Sequence, residues 1–240
     1  MTHNSALVIA PHQDDETIGC GGLISILSQY GYKVFVVHVF CGSSGTNSGT
    51  ELKSQKKRQK EACDASKILN FTLLPNMGYL DRCSILIQDL QKKIIKLIRK
   101  IKPMIILAPH SQEHDQEHRL VSKASWEASW LSVSSIFPKL GAASSTKPIF
   151  LGYEVWTPIK QPNLYIDITK TKSFKKKALK CYTSQIKNTN WVDASLGLNS
   201  YRGATLNGRG LVEVFSLQPS NIIKLINIFQ PLIHEISKRN

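Results

Sequence analysis

The sequence predicts an α/β fold: a Rossmann-like, mostly parallel sheet flanked by helices in a three-layer sandwich. Short apolar runs at Ala6–Ala10 and Met104–Ala108 have the length and composition of strands buried on both faces. A helical pattern follows each run, as expected for strand–helix–strand units with right-handed crossovers. Each run also stops at a proline, Pro11 or Pro109, and polar residues follow at once. Ligands bind at this edge of a parallel sheet.

The predicted elements alternate along the chain. After the first strand, glycines at 19, 21 and 22 precede an apolar helical pattern that begins at Leu23. The later elements are a strand at Lys33–Phe40, a helix at Lys53–Leu69, a strand at Thr72–Leu74, a helix at Ile85–Lys102, the strand at Met104–Ala108, a helix at Leu120–Leu131, strands at Gly152–Trp156 and Leu164–Ile168, a helix from Lys172 to about Gln185, a strand at Val212–Phe215, and a helix at Ile222–Lys238 that Pro231 breaks or kinks. We find no internal repeat or linker, so residues 1–240 are expected to form a single domain.

The net charge of +14 bounds the class of partner. Basic residues cluster at 53–60, 92–102 and 170–180, and such a field attracts phosphates, anionic glycans, acidic membrane surfaces or nucleic acid. The alternative is that these lysines only keep solvated helix faces soluble. Aromatic residues are not interleaved with the basic runs, so we expect no nucleic-acid partner. Peripheral membrane contact and an oligomer remain compatible with the sequence.

Cysteine usage and hydropathy indicate a cytoplasmic protein. The five cysteines are odd in number, widely spaced and without a CxxC pair, which argues against a disulfide framework or a thiolate zinc site. No apolar run approaches the roughly 20 residues that a membrane-spanning helix needs. The N-terminus does not have the pattern of a signal peptide.

The first exit turn carries His12, Asp14, Asp15 and Glu16. Adjacent carboxylates repel one another, and a cation between them relieves this repulsion. His12 and Asp15 can face one ion from a single loop, and Asp14 could then serve as a base. Oxygen and imidazole ligands suit Zn²⁺ or another divalent transition metal. The alternative is that Asp14 or Asp15 only caps the following helix.

The exit turn after Pro109 repeats this arrangement. It carries His110, Glu113, His114, Asp115, Glu117, His118 and Arg119. Two such turns in one parallel sheet can converge on a metal ion. His118 then completes a set of two histidines and one carboxylate that leaves positions for water or substrate. A structural role is the alternative for any single histidine here.

These residues resemble the LmbE/PIG-L family of zinc-dependent de-N-acetylases, whose first motif is [AP]HPDDE. The likeness extends over essentially the whole chain. The matching segments are Pro11–Glu16 (PHQDDE) with the following GCGG, Arg58-x-x-Glu61-Ala62, Gly78–Asp81, Asp115-x-x-His118-Arg119, Tyr153–Pro158, Ser184–Gln185, Tyr201–Gly203 and Glu213-x-Phe215.

The resemblance implies a role for each matching residue. The metal ligands would be His12, Asp15 and His118, with Asp14 as the general base. The family often has a histidine three positions before His118, where this chain has Asp115, so the oxyanion or acid role is left to His114, His110 or Asp115. The substrate contacts would come from Arg58, Asp81 and Arg202, with His110 beside them. The alternative for Arg58 is an ion pair with Glu61 on the same helix.

The predicted reaction is hydrolysis of the N-acetyl group of an N-acetylhexosamine-type sugar, which releases acetate and a free amine. The sugar could be phosphorylated, nucleotide-linked or lipid-linked, and the positive field favours an anionic one. The alternatives are an amidase for another acylated amino-sugar conjugate, a non-catalytic glycan-binding relative, a ferrous oxygenase, and a basic nucleic-acid binder.

Overall fold

The computed structural model describes residues 4–44, 50–187 and 189–217, without the side chain of residue 207. The strands are β1 (Ser5–Ala10), β2 (Lys33–His38), β3 (Thr72–Leu73), β4 (Ile105–Pro109), β5 (Ile149–Tyr153), β6 (Leu164–Asp167) and β7 (Val212–Leu217). The α-helices are α1 (Asp15–Gln29), α2 (Glu51–Leu69), α3 (Ile87–Ile101), α4 (Gln116–Leu131), α5 (Lys172–Leu179), α6 (Thr183–Ile186) and α7 (Trp191–Asn207). The helix predicted at 222–238 lies outside the described residues.

The strands form one sheet of seven in the order β3-β2-β1-β4-β5-β7-β6. The pairs along β3-β2-β1-β4-β5 are parallel, and β7 is antiparallel to both β5 and β6. The predicted mostly parallel sheet is therefore confirmed. Because β1 and β4 are neighbours and run the same way, the loops that leave them emerge side by side at one edge.

Alternate residues of each central strand face opposite sides of the sheet. On one side, Ala6 and Val8 of β1 pack with buried residues of α1, α2, α5 and α7. On the other side, Leu7 and Ile9 pack with buried residues of α3 and α4. Each side has its own apolar core, which confirms the three-layer arrangement.

Helix α1 begins at Asp15, ahead of the apolar pattern that starts at Leu23. The three glycines therefore lie inside the helix, which kinks at Cys20. A side chain at Gly19 would place Cβ 2.5 Å from the Glu154 carbonyl oxygen. The glycines are needed for close packing, and that tertiary reason overrides their low helix propensity.

Strand β5 ends at Tyr153, so the predicted strand at Gly152–Trp156 was placed too far along the chain. The pairing with β4 starts at Ile149 and stops where Pro109 ends that strand. Residues 154–157 instead form an exit loop at the same edge as the two polar turns. Helix α7 was not predicted from the sequence, because its apolar residues are not concentrated on one face. Among the described residues, none of the helices has the length and apolar character needed to cross a bilayer.

Candidate active site

The structure brings together His12, Asp15 and His118, the three residues predicted to bind a metal. One potential ligand atom from each lies within 4.8 Å of the others. The Asp15 Oδ2 atom is 3.3 Å from His12 Nδ1 and 3.3 Å from His118 Nε2. The two turns that leave β1 and β4 therefore meet, as the sequence predicted.

The local backbone explains how one short turn directs His12 and Asp15 towards one point and Asp14 towards another. Asp15 is the first residue of α1, and its Oδ2 atom accepts a hydrogen bond from the His12 amide at 2.8 Å. Asp14 occupies the N-cap position at φ 125°, a region that residues other than glycine seldom adopt. Its amide lies 3.2 Å from Glu16 Oε2, which helps to hold this conformation.

The Asp14 carboxylate is not used as a helix cap, although the sequence allowed that role. It is directed instead towards Arg58 of α2, with Oδ1 3.2 Å from Nη2. Arg58 is buried and also donates to the Gln13 carbonyl. The alternative partner, Glu61, accepts from the Ser184 amide and hydroxyl and from the Thr183 hydroxyl. Arg58 therefore contacts the turn that carries Asp14.

Two buried glutamates, which the sequence did not assign to any role, surround the histidines. Glu117 Oε2 is 2.9 Å from His12 Nε2, and Glu113 Oε2 is 3.4 Å from His118 Nδ1. Glu113 also accepts from the Val155 amide at 2.8 Å, which ties the β5 exit loop to His118. Both glutamates belong to the polar run after Pro109, so that run was the available signal.

His118 is fully buried, yet neither of its ring nitrogens makes a hydrogen bond of acceptable geometry among the described residues. Buried polar atoms without hydrogen bonds are rare in folded proteins, and these two have, within the described chain, only the carboxylate oxygens of Asp15 and Glu113 at 3.3 and 3.4 Å. A metal ion would account for them, because neutral imidazole and carboxylate are its usual ligands. The donor set therefore fits a divalent cation.

The charges in the cluster shift several pKa values. Burial alone would lower the pKa of His12, but its hydrogen bonds with Asp15 and Glu117 raise it to about 10. Burial raises the pKa of the Asp14 carboxyl to about 7, against the opposing charge of Arg58. Burial opposes ionisation of Asp15 as well, but the positive charges of His118 and His12 lower its pKa. The cluster thus favours positive charge between its carboxylates.

A cavity of about 180 Å³ opens beside this cluster. The residues that line it are His12, Asp14, Asp15, Ser44, Arg58, Asp81, Arg82, Trp156, Gln185 and Trp191. Asp81 accepts from the Gly42 amide at 2.8 Å and from the Ser44 amide at 2.9 Å. Its carboxylate therefore also fixes the loop after β2.

Asp115 caps α4 and is not among the residues that line the cavity. Its Oδ1 atom accepts from the Glu117 amide at 2.8 Å and from the His118 amide at 3.2 Å. Its Oδ2 atom is 2.6 Å from Nη1 of Arg82, which lines the cavity. At this position the chain thus supplies a carboxylate that holds an arginine at the cavity wall.

The other predicted site residues are not among those that line the cavity. His110 Nε2 is 2.7 Å from the Thr157 carbonyl oxygen and 3.4 Å from Glu113 Oε1. His114 is exposed, and its amide donates to Thr157 Oγ1. Arg202 pairs with Glu154 and donates to the Ile159 carbonyl. The structure therefore places His110 and Arg202 in contacts that support loops.

Five lining residues were not assigned to the site from the sequence: Ser44, Arg82, Trp156, Gln185 and Trp191. Arg82 directly follows the GYLD segment, and Trp156 lies in the Tyr153–Pro158 segment, so both were close to recognised motifs. Trp191 begins α7, for which the sequence offered no signal. Its ring stacks on that of Trp156, with centroids 6.3 Å apart and planes 8° from parallel.

The sequence model of a family described as "PIG-L: GlcNAc-PI de-N-acetylase" matches residues 7–129, which include His12, Asp14, Asp15 and His118. A diacetylchitobiose deacetylase from Thermococcus kodakarensis is 26% identical over 191 residues, which cover 77% of this chain and 71% of the relative.

A second curated relative has a different activity. The 4-oxalmesaconate hydratase of Pseudomonas putida is 25% identical over 194 residues, which cover 75% of this chain and 74% of the relative. Among solved structures, the N,N'-diacetylchitobiose deacetylase from Pyrococcus horikoshii superposes with a TM-score of 0.80 at 25% identity, covering 90% of this chain and 84% of that one.

Proposed function

The chain belongs to the PIG-L family of GlcNAc-PI de-N-acetylases, and we propose that it is a metal-dependent hydrolase that deacetylates an N-acetylhexosamine-type sugar. The reaction adds water across the amide bond and releases acetate and a free amine. One observation carries the proposal. His12, Asp15 and His118 are grouped at one point, and the Asp14 carboxylate lines the adjoining cavity.

We assign the metal to His12, Asp15 and His118, with zinc as the first candidate and another divalent transition metal as the alternative. The support is the donor set and the buried ring nitrogens of His118 that lack hydrogen bonds in the described structure. When bound, zinc lowers the pKa of water and polarises a carbonyl. Glu117 and Glu113 would orient the two histidine ligands, as outer carboxylates do in many metal sites.

We assign the general base to Asp14. Its carboxylate lines the cavity, and no backbone amide of α1 occupies it as a cap. Asp14 would take a proton from the attacking water and pass it to the departing amine. Arg58 would keep the carboxylate in position from α2.

Asp115 would act through Arg82. It is one of the three candidates for the acid or oxyanion role, but its carboxylate is occupied by two amides and by the Arg82 guanidinium. Arg82 and Arg58 are the arginines that line the cavity, so we assign them, together with Asp81, to the polar groups of the substrate. Each of these arginines is paired with an aspartate, so we assign to them hydrogen bonds with polar sugar groups, and the expectation of an anionic sugar rests on the net charge of +14. We also propose a cytoplasmic location, supported by five cysteines that are all free.

The hydratase relative supplies a second candidate function, the addition of water to a carbon–carbon double bond of an organic acid. Both reactions require an activated water, so the metal site alone does not separate them. The substrate does: acetate and a new amine appear only in deacetylation.

The test of the proposed function is Asp14→Asn in the purified, metal-loaded protein. Because an asparagine cannot accept the proton, kcat for acetate release from N-acetylated sugars should fall roughly 10²–10⁴-fold. Bound metal, measured by elemental analysis, should not change. Turnover of Asp14→Asn near the wild-type rate would refute the assignment of the base. A wild-type protein that hydrates unsaturated acids and releases no acetate would favour the second candidate.

A further inference from the structure

An aromatic wall borders the candidate metal cluster. The Trp156 ring centroid lies 5.1 Å from that of His118, and the Trp191 ring stacks on that of Trp156, with its plane 8° from parallel. Both indoles line the same cavity as Asp14. The catalytic roles assigned above use neither ring.

Trp156 is 45% exposed although it lies directly beside a buried charged cluster. Single exposed apolar side chains are common, but two parallel indoles at the mouth of a polar cavity form a patch of the kind that marks ligand sites. A flat ring face suits the apolar C–H face of a pyranose, while sugar hydroxyls can reach the polar residues that line the same cavity. Asp81, Arg82 and Gln185 supply such groups.

The size of the cavity limits what it can enclose. Its volume of about 180 Å³ lies below the roughly 300–1,000 Å³ of pockets that enclose drug-sized ligands. Only the acetylated end of a larger sugar therefore fits inside, and the rest must lie on the rim. Trp156 is the ring beside the cluster, so it would meet the acetylated pyranose. Trp191 would meet the next unit.

We propose that Trp156 and Trp191 form a stacking platform for an oligosaccharide, with Trp191 binding the pyranose next to the one that is deacetylated. This assignment rests on the proposed function and specifies its substrate class as linked amino sugars rather than single ones. Trp191 is then a residue that sets preference for chain length, and Trp156 contacts the reacting sugar.

The test compares N,N'-diacetylchitobiose with N-acetylglucosamine as substrates of the metal-loaded protein. Trp191→Ala should raise KM for the disaccharide about tenfold while kcat is retained, because a contact made equally in the ground and transition states is lost. KM for the monosaccharide should stay within about twofold. Trp191→Phe, which keeps a flat ring, should restore most of the disaccharide affinity.

The matched control is Trp130→Ala. Trp130 is 43% exposed near the end of α4, whose first turn is the part that reaches the cluster, and it does not line the cavity. This variant should leave both KM values unchanged. Trp191 packs partly against the core, so thermal unfolding is measured for every variant. If Trp191→Ala does not fold, Trp191→Leu keeps apolar packing while it removes the flat face.

The outcomes separate the platform from the deacetylase proposal. If Trp191→Ala changes KM equally for both sugars, or changes neither value, the platform is overturned while the deacetylase proposal stands. If neither sugar is hydrolysed, calorimetric binding decides. Tighter binding of the disaccharide that Trp191→Ala abolishes supports the platform even though the proposed reaction has failed. Absence of binding of both sugars to the wild-type protein overturns the platform as well.

Discussion

Helix α1 has a buried charged cluster at its first turn and another at its kink, and the two differ in how their polar atoms are satisfied. At the first turn, Asp15 and Glu117 crowd His12, and the ring nitrogens of His118 lack hydrogen bonds within the described structure. At the kink, the fully buried Lys175 Nζ donates to the Ile18 carbonyl, to Asn199 and to Glu213 at 2.7–2.8 Å.

The kink cluster completes the hydrogen bonding of a broken helix. Glu213 accepts from the Gly22 and Leu23 amides, both at 2.8 Å, which are the free donors at the start of the second helical segment. Lys175 binds the Ile18 carbonyl at the end of the first segment. A cluster in which every donor is used holds the chain in one shape, whereas the incomplete cluster at the first turn is suited to take up a ligand.

The largest effect on stability is expected at the kink. Lys175→Met removes one partner of a fully buried ion pair and leaves the Glu213 charge without its counterion. The free energy of unfolding should fall by about 3–5 kcal/mol, measured by urea denaturation. The exposed neighbour in the same helix provides the control, since Lys176→Met should change stability by less than about 0.5 kcal/mol.

The double variant Lys175→Met/Glu213→Gln sharpens that result. Because the second substitution removes the stranded charge, it should recover part of the lost stability, and the two effects should not add. A single Lys175→Met variant as stable as the wild type would show that the kink cluster does not stabilise the helix. The two clusters would then not differ in their contribution to stability.

The gain in stability on adding zinc should depend on the cluster at the first turn of α1 and not on the cluster at the kink. A ligand that binds only the folded chain stabilises it by about 2.7 kcal/mol at 100 times its dissociation constant. Wild type and Lys175→Met should gain the same amount, while His118→Ala, which lacks one of the three grouped ligands, should gain much less. Unfolding curves with and without added zinc measure this, and equal gains in all three proteins would place zinc elsewhere.

The sequence allowed the two polar turns to be placed because the signals were local. Each apolar run of β1 and β4 has strand length and stops at a proline, and parallel strands send their exits to one edge. The meeting of His12 with His118 followed from that topology. The start of α1 was harder, since Gly19 and its neighbours read as a break until the packing against Glu154 is known.

The remaining features depend on contacts between distant parts of the chain. Arg82 and Asp115 pair across two loops, and Trp156 stacks on Trp191 from a different element. Neither contact can be predicted from the spacing of residues along the sequence. The strand predicted at Gly152–Trp156 was misplaced for the same reason. Ile149 pairs with Ile105, and only the register along β4 fixes where β5 begins and ends.

The smallest expected effect is at Glu117, which touches His12 without belonging to the three grouped ligands. Glu117→Gln keeps the size of the side chain and removes the charge that orients the imidazole, so zinc affinity should fall about 10–100-fold. The control is Glu127→Gln. Glu127 lies on the same helix, where its carboxylate accepts a hydrogen bond from Gln91, and this substitution should leave zinc affinity unchanged. Competition with a chromogenic chelator measures both. Because Glu117 also accepts from the Arg82 amide, an unchanged affinity in Glu117→Gln would mean that this carboxylate fixes the cavity wall rather than the metal ligand.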